Sequence, residues 1–232
     1  HQPMSYRNGR FWITFNGEVY NYKEIKAELI GIGHNFISET DTEVVLAAFA
    51  EWGSACLDRL AGMWAFAIYD KFANEIFLAR DRYGIKPLYY WFSPEMNFYF
   101  ASEIKQFTVC KGWSSRINPR RACDFLIYTL TDHTDETMFE GVYQIPSGCC
   151  FKSTLNDIKP DVNGRIGFQK WYFLQSDPFK GSFNEAASCF KSLFERSVAE
   201  HLNADVKVGT ALSGGLDSSA IVCEVDWLQK NG

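Results

Sequence analysis

Met63-Trp64-Ala65-Phe66-Ala67-Ile68-Tyr69, Glu75-Ile76-Phe77-Leu78-Ala79, Leu88-Tyr89-Tyr90-Trp91-Phe92 and Phe98-Tyr99-Phe100-Ala101 follow one another in the chain as aromatic-rich runs. Aromatic and β-branched side chains suit a pleated, half-buried surface, so each run is predicted to be a strand. The segments Lys71-Phe72-Ala73-Asn74 and Ser93-Pro94-Glu95-Met96-Asn97 between them read as turns. The pattern predicts an antiparallel meander. Upstream, Phe11-Trp12-Ile13-Thr14-Phe15 reads as another strand, closed by the turn-forming pair Asn16-Gly17. Tyr22 to Leu29 and Thr42 to Trp52 read as helices; Val45, Leu46, Phe49 and Trp52 recur at helical spacing and Gly53 stops the second. Helices on the faces of a meander give an α+β layered sandwich.

Downstream, Asn118-Pro119 is predicted to cap a helix running to Tyr128, with proline where its missing N–H costs nothing. Gly148 to Lys152 and Gln169 to Phe173 are predicted strands flanking a polar loop, Asn156 to Gly167. Gln175-Ser176-Asp177-Pro178-Phe179-Lys180-Gly181 reads as a linker. Ser182 and Glu185 then stand at capping-box spacing before a stripe of Ala186, Ala187, Phe190, Leu193, Phe194, Ser197, Val198 and Leu202, read as one apolar face. Val206 to Leu212 is predicted as a strand and Ser218 to Gln229 as a helix. This second stretch follows α/β grammar, which places a domain boundary near residue 178: a first domain at 1–177 and a second beginning at 178–232.

The 232 residues carry a formal net charge of −5, and hydrophobic residues make up 47%. That composition fits a globular chain with a sizeable core. A weakly acidic balance without a Lys/Arg cluster gives no electrostatic footprint for nucleic acid. No apolar run approaches the ~18 to 20 residues that span a bilayer, so no membrane partner is expected. The seven cysteines form no C-x-x-C pair and no zinc-spaced cluster with the four histidines, and read as reduced thiols of a cytoplasmic protein.

Ala211-Leu212-Ser213-Gly214-Gly215-Leu216-Asp217-Ser218-Ser219 lies between a predicted strand and a predicted helix. Two glycines let backbone N–H groups approach an anion, and a helix beginning near Ser218 adds its positive end. The hydroxyls of Ser213, Ser218 and Ser219 suit phosphate oxygens. Asp217, a carboxylate beside phosphates, makes electrostatic sense with Mg²⁺ between them. The Walker A pattern is absent. The stretch instead resembles the S-G-G-x-D-S loop of ATP pyrophosphatases. That resemblance implies ATP binding by Leu212 to Ser219, cleavage between the α- and β-phosphates, and adenylation of a substrate oxygen.

Phe15-Asn16-Gly17-Glu18-Val19-Tyr20-Asn21 is a common hairpin signal when taken alone. It is accompanied, in order, by Ser38-Glu39-Thr40-Asp41-Thr42-Glu43-Val44, Leu60-Ala61-Gly62-Met63-Trp64, Leu78-Ala79-Arg80-Asp81-Arg82-Tyr83-Gly84-Ile85-Lys86-Pro87 and Phe100-Ala101-Ser102-Glu103-Ile104-Lys105. Together these resemble the glutaminase domain of class II amidotransferases in the asparagine synthetase branch. The likeness implies an N-terminal-nucleophile αββα fold, an N-terminal cysteine that attacks glutamine, and internal passage of ammonia to an aspartyl-adenylate. Asparagine, AMP and pyrophosphate would result, with glutamine, ATP and aspartate as small-molecule partners, and a homodimer is the expected assembly. By matching motif, Asn16 (side-chain amide) and Gly17 (backbone N–H) would form the oxyanion hole. Glu18 and Asp41 would hold the α-amino group of glutamine, which two carboxylates suit on charge grounds. Position 1 is His and none of the seven cysteines stands at the N-terminus, so these 232 residues are expected to lack both the nucleophile and a complete synthetase site. Three other readings stay open: a relative aminating another carboxylate or a sugar, a non-catalytic glutaminase-like interaction domain, and a tRNA-modifying pyrophosphatase, against which the acidic charge counts. Asp81-Arg82 reads as a buried ion pair holding the Gly84-Ile85-Lys86-Pro87 turn.

Overall fold

The computed structural model describes residues 1–203 and 207–231, in two units, His1–Phe173 and Leu174–Gly232. In the first, β1 (Met4–Tyr6) pairs antiparallel with β2 (Phe11–Val19), which leads into α1 (Tyr22–Gly31) and α2 (Asp41–Trp52). A short 3₁₀ turn and α3 (Cys56–Arg59) connect to β3 (Gly62–Asp70), β4 (Glu75–Arg80), β5 (Tyr89–Phe92) and β6 (Phe98–Ala101). After a 3₁₀ helix at Ile104–Val109 come α4 (Pro119–Tyr128), β7 (Val142–Gln144), β8 (Cys149–Thr154) and β9 (Gln169–Lys170). Asn118 caps α4 as expected, its side chain accepting the Arg120 and Arg121 N–H groups.

The strands do not form one meander. β1-β2-β3-β4-β8-β9 make a six-stranded sheet, and β6-β5-β7 make a second sheet of three strands. Asn16 and Gly17 likewise do not close the strand. Both continue β2, opposite Ala65 and Trp64 of β3. A nine-residue pairing partner overrides the local turn preference of Asn-Gly, because a turn there would forfeit the remaining rungs to β3.

Period-2 alternation sorts the core into layers. Trp64, Phe66 and Ile68 of β3 pack with Phe11, Ile13 and Phe77 against Ile25 and Leu29 of α1 and Val44 to Ala48 of α2. Ala65, Ala67, Ile76 and Leu78 face the other way, onto Leu88 and Tyr90. The small alanines leave room for the aromatic second sheet. Its far face, Trp91, Ala101 and Val142, is covered by Phe107 and Trp113. Helices, sheet, sheet and a 3₁₀ cover thus stack in four layers.

The chain changes sheets between β4 and β5, and two adjacent residues brace that crossing. The buried Asp81 carboxylate accepts the N–H groups of Trp64, Tyr83, Ile85 and Lys86 at 3.0 to 3.2 Å. The Arg80 guanidinium, also buried, donates to the carbonyls of Gly84, Lys86 and Ile145 at 2.7, 2.8 and 2.6 Å. Burial pushes the Arg80 pKa down, partly offset by the Asp81 charge. The expected Asp81–Arg82 ion pair is not formed. Arg82 turns away to the carbonyls of Leu60 and Asp58 and lies over the Trp171 ring. Four backbone donors satisfy the carboxylate more fully than one guanidinium would.

In the second unit α5 (Phe183–His201) begins with the reciprocal Ser182–Glu185 capping box, and α6 (Leu216–Asn231) follows. The predicted strand at Val206 to Leu212 is not found: Val206 lies outside the described residues, and 207–212 are irregular and exposed, without a partner strand among the described residues. A lone strand has no ladder to stabilise it. Along the α5 stripe Val198 is buried, whereas Phe190 and Leu193 are exposed.

Candidate active site

The candidate residues gather along the edge of β2 beyond its pairing with β1. Successive residues of a strand direct their N–H and C=O groups to opposite sides. Tyr20 donates to Ala61 O and Arg10 O accepts from Lys71, so the even-numbered residues face β3. Phe15 and Val19 face the opposite edge. Phe15 N–H donates to Gln2 Oε1 at 2.7 Å while Phe15 O accepts from Gln2 Nε2 at 2.8 Å. Val19 N–H donates to Asp41 Oδ2 at 3.0 Å. Gly17, midway between them, points its N–H to the same edge, where it has no partner among the described residues. These three amides recur at roughly 6.7 Å along the strand.

Only glycine fits at 17. Its φ is +157°, and a Cβ there would stand 2.6 Å from Trp64 Cα. Gly62 answers it from β3 with φ +151° and a Cβ position 3.0 Å from Val19 Cα. The two backbones therefore touch directly at the end of the β2–β3 ladder. Asn16 puts its side chain on the inter-sheet face, in a groove of about 280 Å³ that Thr14, Leu88, Phe100 and Ser102 also line. Glu18 is exposed along the same strand.

Asp41 is the first residue of α2, whose N-cap Thr40 accepts the Glu43 N–H. The loop before it is pinned by the buried Glu43 carboxylate, which accepts the N–H groups of Ile37 at 2.9 Å and Ser38 at 2.7 Å. Lys26 Nζ adds a bond to Ser38 O at 3.0 Å. Half-buried, the Asp41 carboxyl has its pKa raised by desolvation, against which the Val19 and Thr42 hydrogen bonds pull. Among the described residues no cation pairs with it. A desolvated carboxylate without a counter-ion is costly to keep charged, and a nearby cation would offset that cost.

In the second unit the glycine-rich loop folds on itself. Ser213 Oγ lies 3.0 Å from Ser218 Oγ, Ser218 Oγ donates to Gly215 O at 3.2 Å, and Gly214 takes φ +82°. Leu212 and Leu216 are exposed, and Asp217 lies in the first turn of α6 with Ser219 one turn into it. No group of three or more His, Cys, Asp or Glu side chains fit to hold a metal occurs among the described residues.

Residues 1–163 match the family model described as a glutamine amidotransferase domain. The chain belongs to that family. Residues 190–230 match the asparagine synthase model as well. The chain is 34% identical to asparagine synthetase [glutamine-hydrolyzing] 3 of Bacillus subtilis over 95% of its own length and 35% of the relative's. It is equally 34% identical to asparagine synthetase 1 of the same organism, over 95% and 33% respectively. The chain thus spans about a third of the length of the curated relatives it matches. Among solved structures it is similar to a glutamine phosphoribosylpyrophosphate amidotransferase from B. subtilis, with TM-score 0.51 and 16% identity over 97% of this chain and 46% of the other. That likeness shows the fold, the layered N-terminal-nucleophile sandwich.

The amidotransferase fold brings Asn16, Gly17 and Asp41 to one end of β2, and sets Glu18 beside them on an exposed position. Gln2, Glu43 and Gly62 act in the same neighbourhood and were not singled out from the sequence. Gly62 carried a signal, a glycine opening a strong strand run. Gln2 carried none, since its partners are backbone groups fixed by pairing register; Glu43 stands at capping-box spacing from Thr40, yet its carboxylate bonds the loop amides of Ile37 and Ser38 instead. No helix among the described residues is long and apolar enough to cross a membrane.

Proposed function

We propose that residues 1–177 bind and help hydrolyse glutamine, and that 178–232 open a domain that uses ATP to activate an acceptor carboxylate for amidation, aspartate giving asparagine. The observation that carries the first half is the Asp41 carboxylate, desolvated and with no counter-ion among the described residues, bonded to Val19 two residues along β2 from Gly17, whose N–H has no partner among the described residues. That separation is comparable to the distance between the two ends of an extended glutamine. In this reading Asp41, with Glu18 nearby, takes the α-amino group, while the Gly17 N–H and the Asn16 carboxamide receive the oxygen that becomes negative when the side-chain amide is attacked. Donors already fixed in a strand need no reorganisation as that charge develops.

The match of 190–230 to the asparagine synthase model supports ATP use. Leu212 to Ser219 would cradle the phosphates with backbone N–H groups and the hydroxyls of Ser213, Ser218 and Ser219. Asp217, a lone carboxylate, fits Mg²⁺, which commonly takes one or two carboxylates and completes its shell with phosphate oxygens and water. Bound ATP would supply a leaving group on the acceptor oxygen. A cytoplasmic homodimer is the corresponding setting.

The test is product analysis on the full-length protein containing this chain. Glutamine, ATP and aspartate should yield asparagine, AMP and pyrophosphate in equal amounts, seen by ³¹P NMR and amino-acid analysis. ADP and phosphate as nucleotide products, or no dependence on glutamine or ammonia, would overturn the reading.

A further inference from the structure

We propose that Gln2 is a positioning residue of the oxyanion hole, an inference that rests on the reading of Asn16 and Gly17 given above. Gln2 stands in register opposite Phe15, two residue positions beyond the Met4–Ile13 pair. A backbone residue there would exchange two hydrogen bonds with Phe15. The main chain of β1 begins at Met4 and does not continue the ladder through Pro3 to Gln2. The Gln2 side chain takes over. A primary carboxamide offers one acceptor and two donors, the complement of a peptide unit. Its Oε1 accepts the Phe15 N–H at 2.7 Å and its Nε2 donates to Phe15 O at 2.8 Å, a full rung made by a side chain.

The position of this rung gives it a consequence. Phe15 immediately precedes Asn16, and Gln2 lines the same inter-sheet groove as the Asn16 side chain. On the β3 side, Asn16 and Gly17 are held by the continuous β2–β3 register. On the open side, Gln2 at Phe15 and Asp41 at Val19 pin the strand on either side of Gly17. Gly17 itself tolerates more backbone freedom than other residues. Two flanking clamps keep its N–H aimed outward, and a side-chain rung ends where it does, so the next amide along the edge stays open to a ligand. A main-chain strand running on would instead cap Gly17.

The experiment uses the full-length protein with Gln2→Ala and Gln2→Glu. Gln2→Glu keeps the acceptor for the Phe15 N–H and sets a carboxylate oxygen against Phe15 O, so it serves if the alanine variant fails to fold. Both variants should lower the kcat of glutamine hydrolysis roughly ten- to hundredfold, as expected when a catalytic dipole is mis-aimed. KM for glutamine should stay within about twofold, since Asp41 is untouched. The affinity for an aldehyde analogue of glutamine, whose thiol adduct places an oxyanion in the hole, should fall by the same factor as kcat. Unchanged kcat and unchanged analogue affinity would overturn the proposal, and so would a loss confined to KM and thermal stability. Asn16→Ala in the same assays separates the two levels. Wild-type kcat in that variant would refute the oxyanion-hole reading itself; its collapse beside unaffected Gln2 variants would refute only the role of Gln2.

Discussion

The Asp41 carboxylate accepts the Val19 N–H at 3.0 Å from the first turn of α2, so a helix start and a strand end share one hydrogen bond. In the proposed glutamine site, that bond would set where a substrate ammonium sits relative to the Gly17 amide. In the full-length protein, Asp41→Asn keeps an acceptor for Val19 but removes the charge. A charge-assisted hydrogen bond is worth ~1.5 to 3 kcal/mol, so kcat/KM for glutamine should fall roughly tenfold to a hundredfold. Synthesis from free ammonia should be unchanged. Equal loss of both activities, measured side by side, would show a folding role instead.

The same substitution has a stability consequence of opposite sign. Burial raises the folded-state pKa of Asp41 above its unfolded value. The folded form therefore binds the proton more tightly, and the carboxylate lowers stability as pH rises through that window. Asp41→Asn should melt at a higher temperature than the parent near pH 7, and the gap should close below the unfolded pKa. Thermal melts across pH check this, and a gap that widens toward acid would contradict it.

Gly17→Ala should destabilise as well as inactivate. The new Cβ would press on the Trp64 backbone, with φ in a region costly to alanine. Such overpacking costs typically ~1 to 3 kcal/mol, or about 2 to 12 °C in Tm for a domain of this size. Differential scanning calorimetry of the variant is the check, and an unchanged Tm would refute the close backbone approach.

Asp81→Ala should be far more damaging than Arg82→Ala. Removing Asp81 strands four backbone N–H groups in a buried crossing, with each unsatisfied group costing ~1 to 3 kcal/mol before relaxation. A loss of about 3 kcal/mol or more is expected from urea titration, against about 1 to 2 for Arg82→Ala. Similar losses for both would favour an ion pair.

Asp217→Asn should impair formation of AMP and pyrophosphate at least tenfold while glutamine hydrolysis continues. Separate ammonia-release and pyrophosphate assays on one preparation decide it. Parallel loss of both would place Asp217 outside the nucleotide reading.

Much of the fold is legible in the sequence. The β3 and β4 runs announce themselves through alternating Trp64, Phe66 and Ile68, and α2 through Val45, Leu46 and Phe49. Ser182 and Glu185 name the start of α5 because a capping box is a local device. What escaped were relationships set by register and topology. Asn16-Gly17 has the chemistry of a turn, and only the length of the β3 partner keeps it extended. Asp81 has an arginine beside it in sequence, yet its partners are amides gathered by the crossing between sheets. Gln2 makes a rung with its side chain, just beyond the point where the main-chain pairing of β1 stops. For Val206 to Leu212, strand propensity alone could not supply a neighbour to pair with.

The Arg80–Asp81 brace also decides how the crossing breathes. Residues 81–87 contain no strand or helix, and such a segment would ordinarily exchange its amide protons quickly with solvent. Here the Tyr83, Ile85 and Lys86 protons are spent on a buried carboxylate, while Arg80 ties the carbonyls of Gly84 and Lys86 to that of Ile145, 65 positions away in the chain. Freeing any one of those protons means loosening β4, the start of β5 and the end of β7 together. In deuterium these loop amides should keep time with the sheets, so that the joint between the two layers opens only when the layers do.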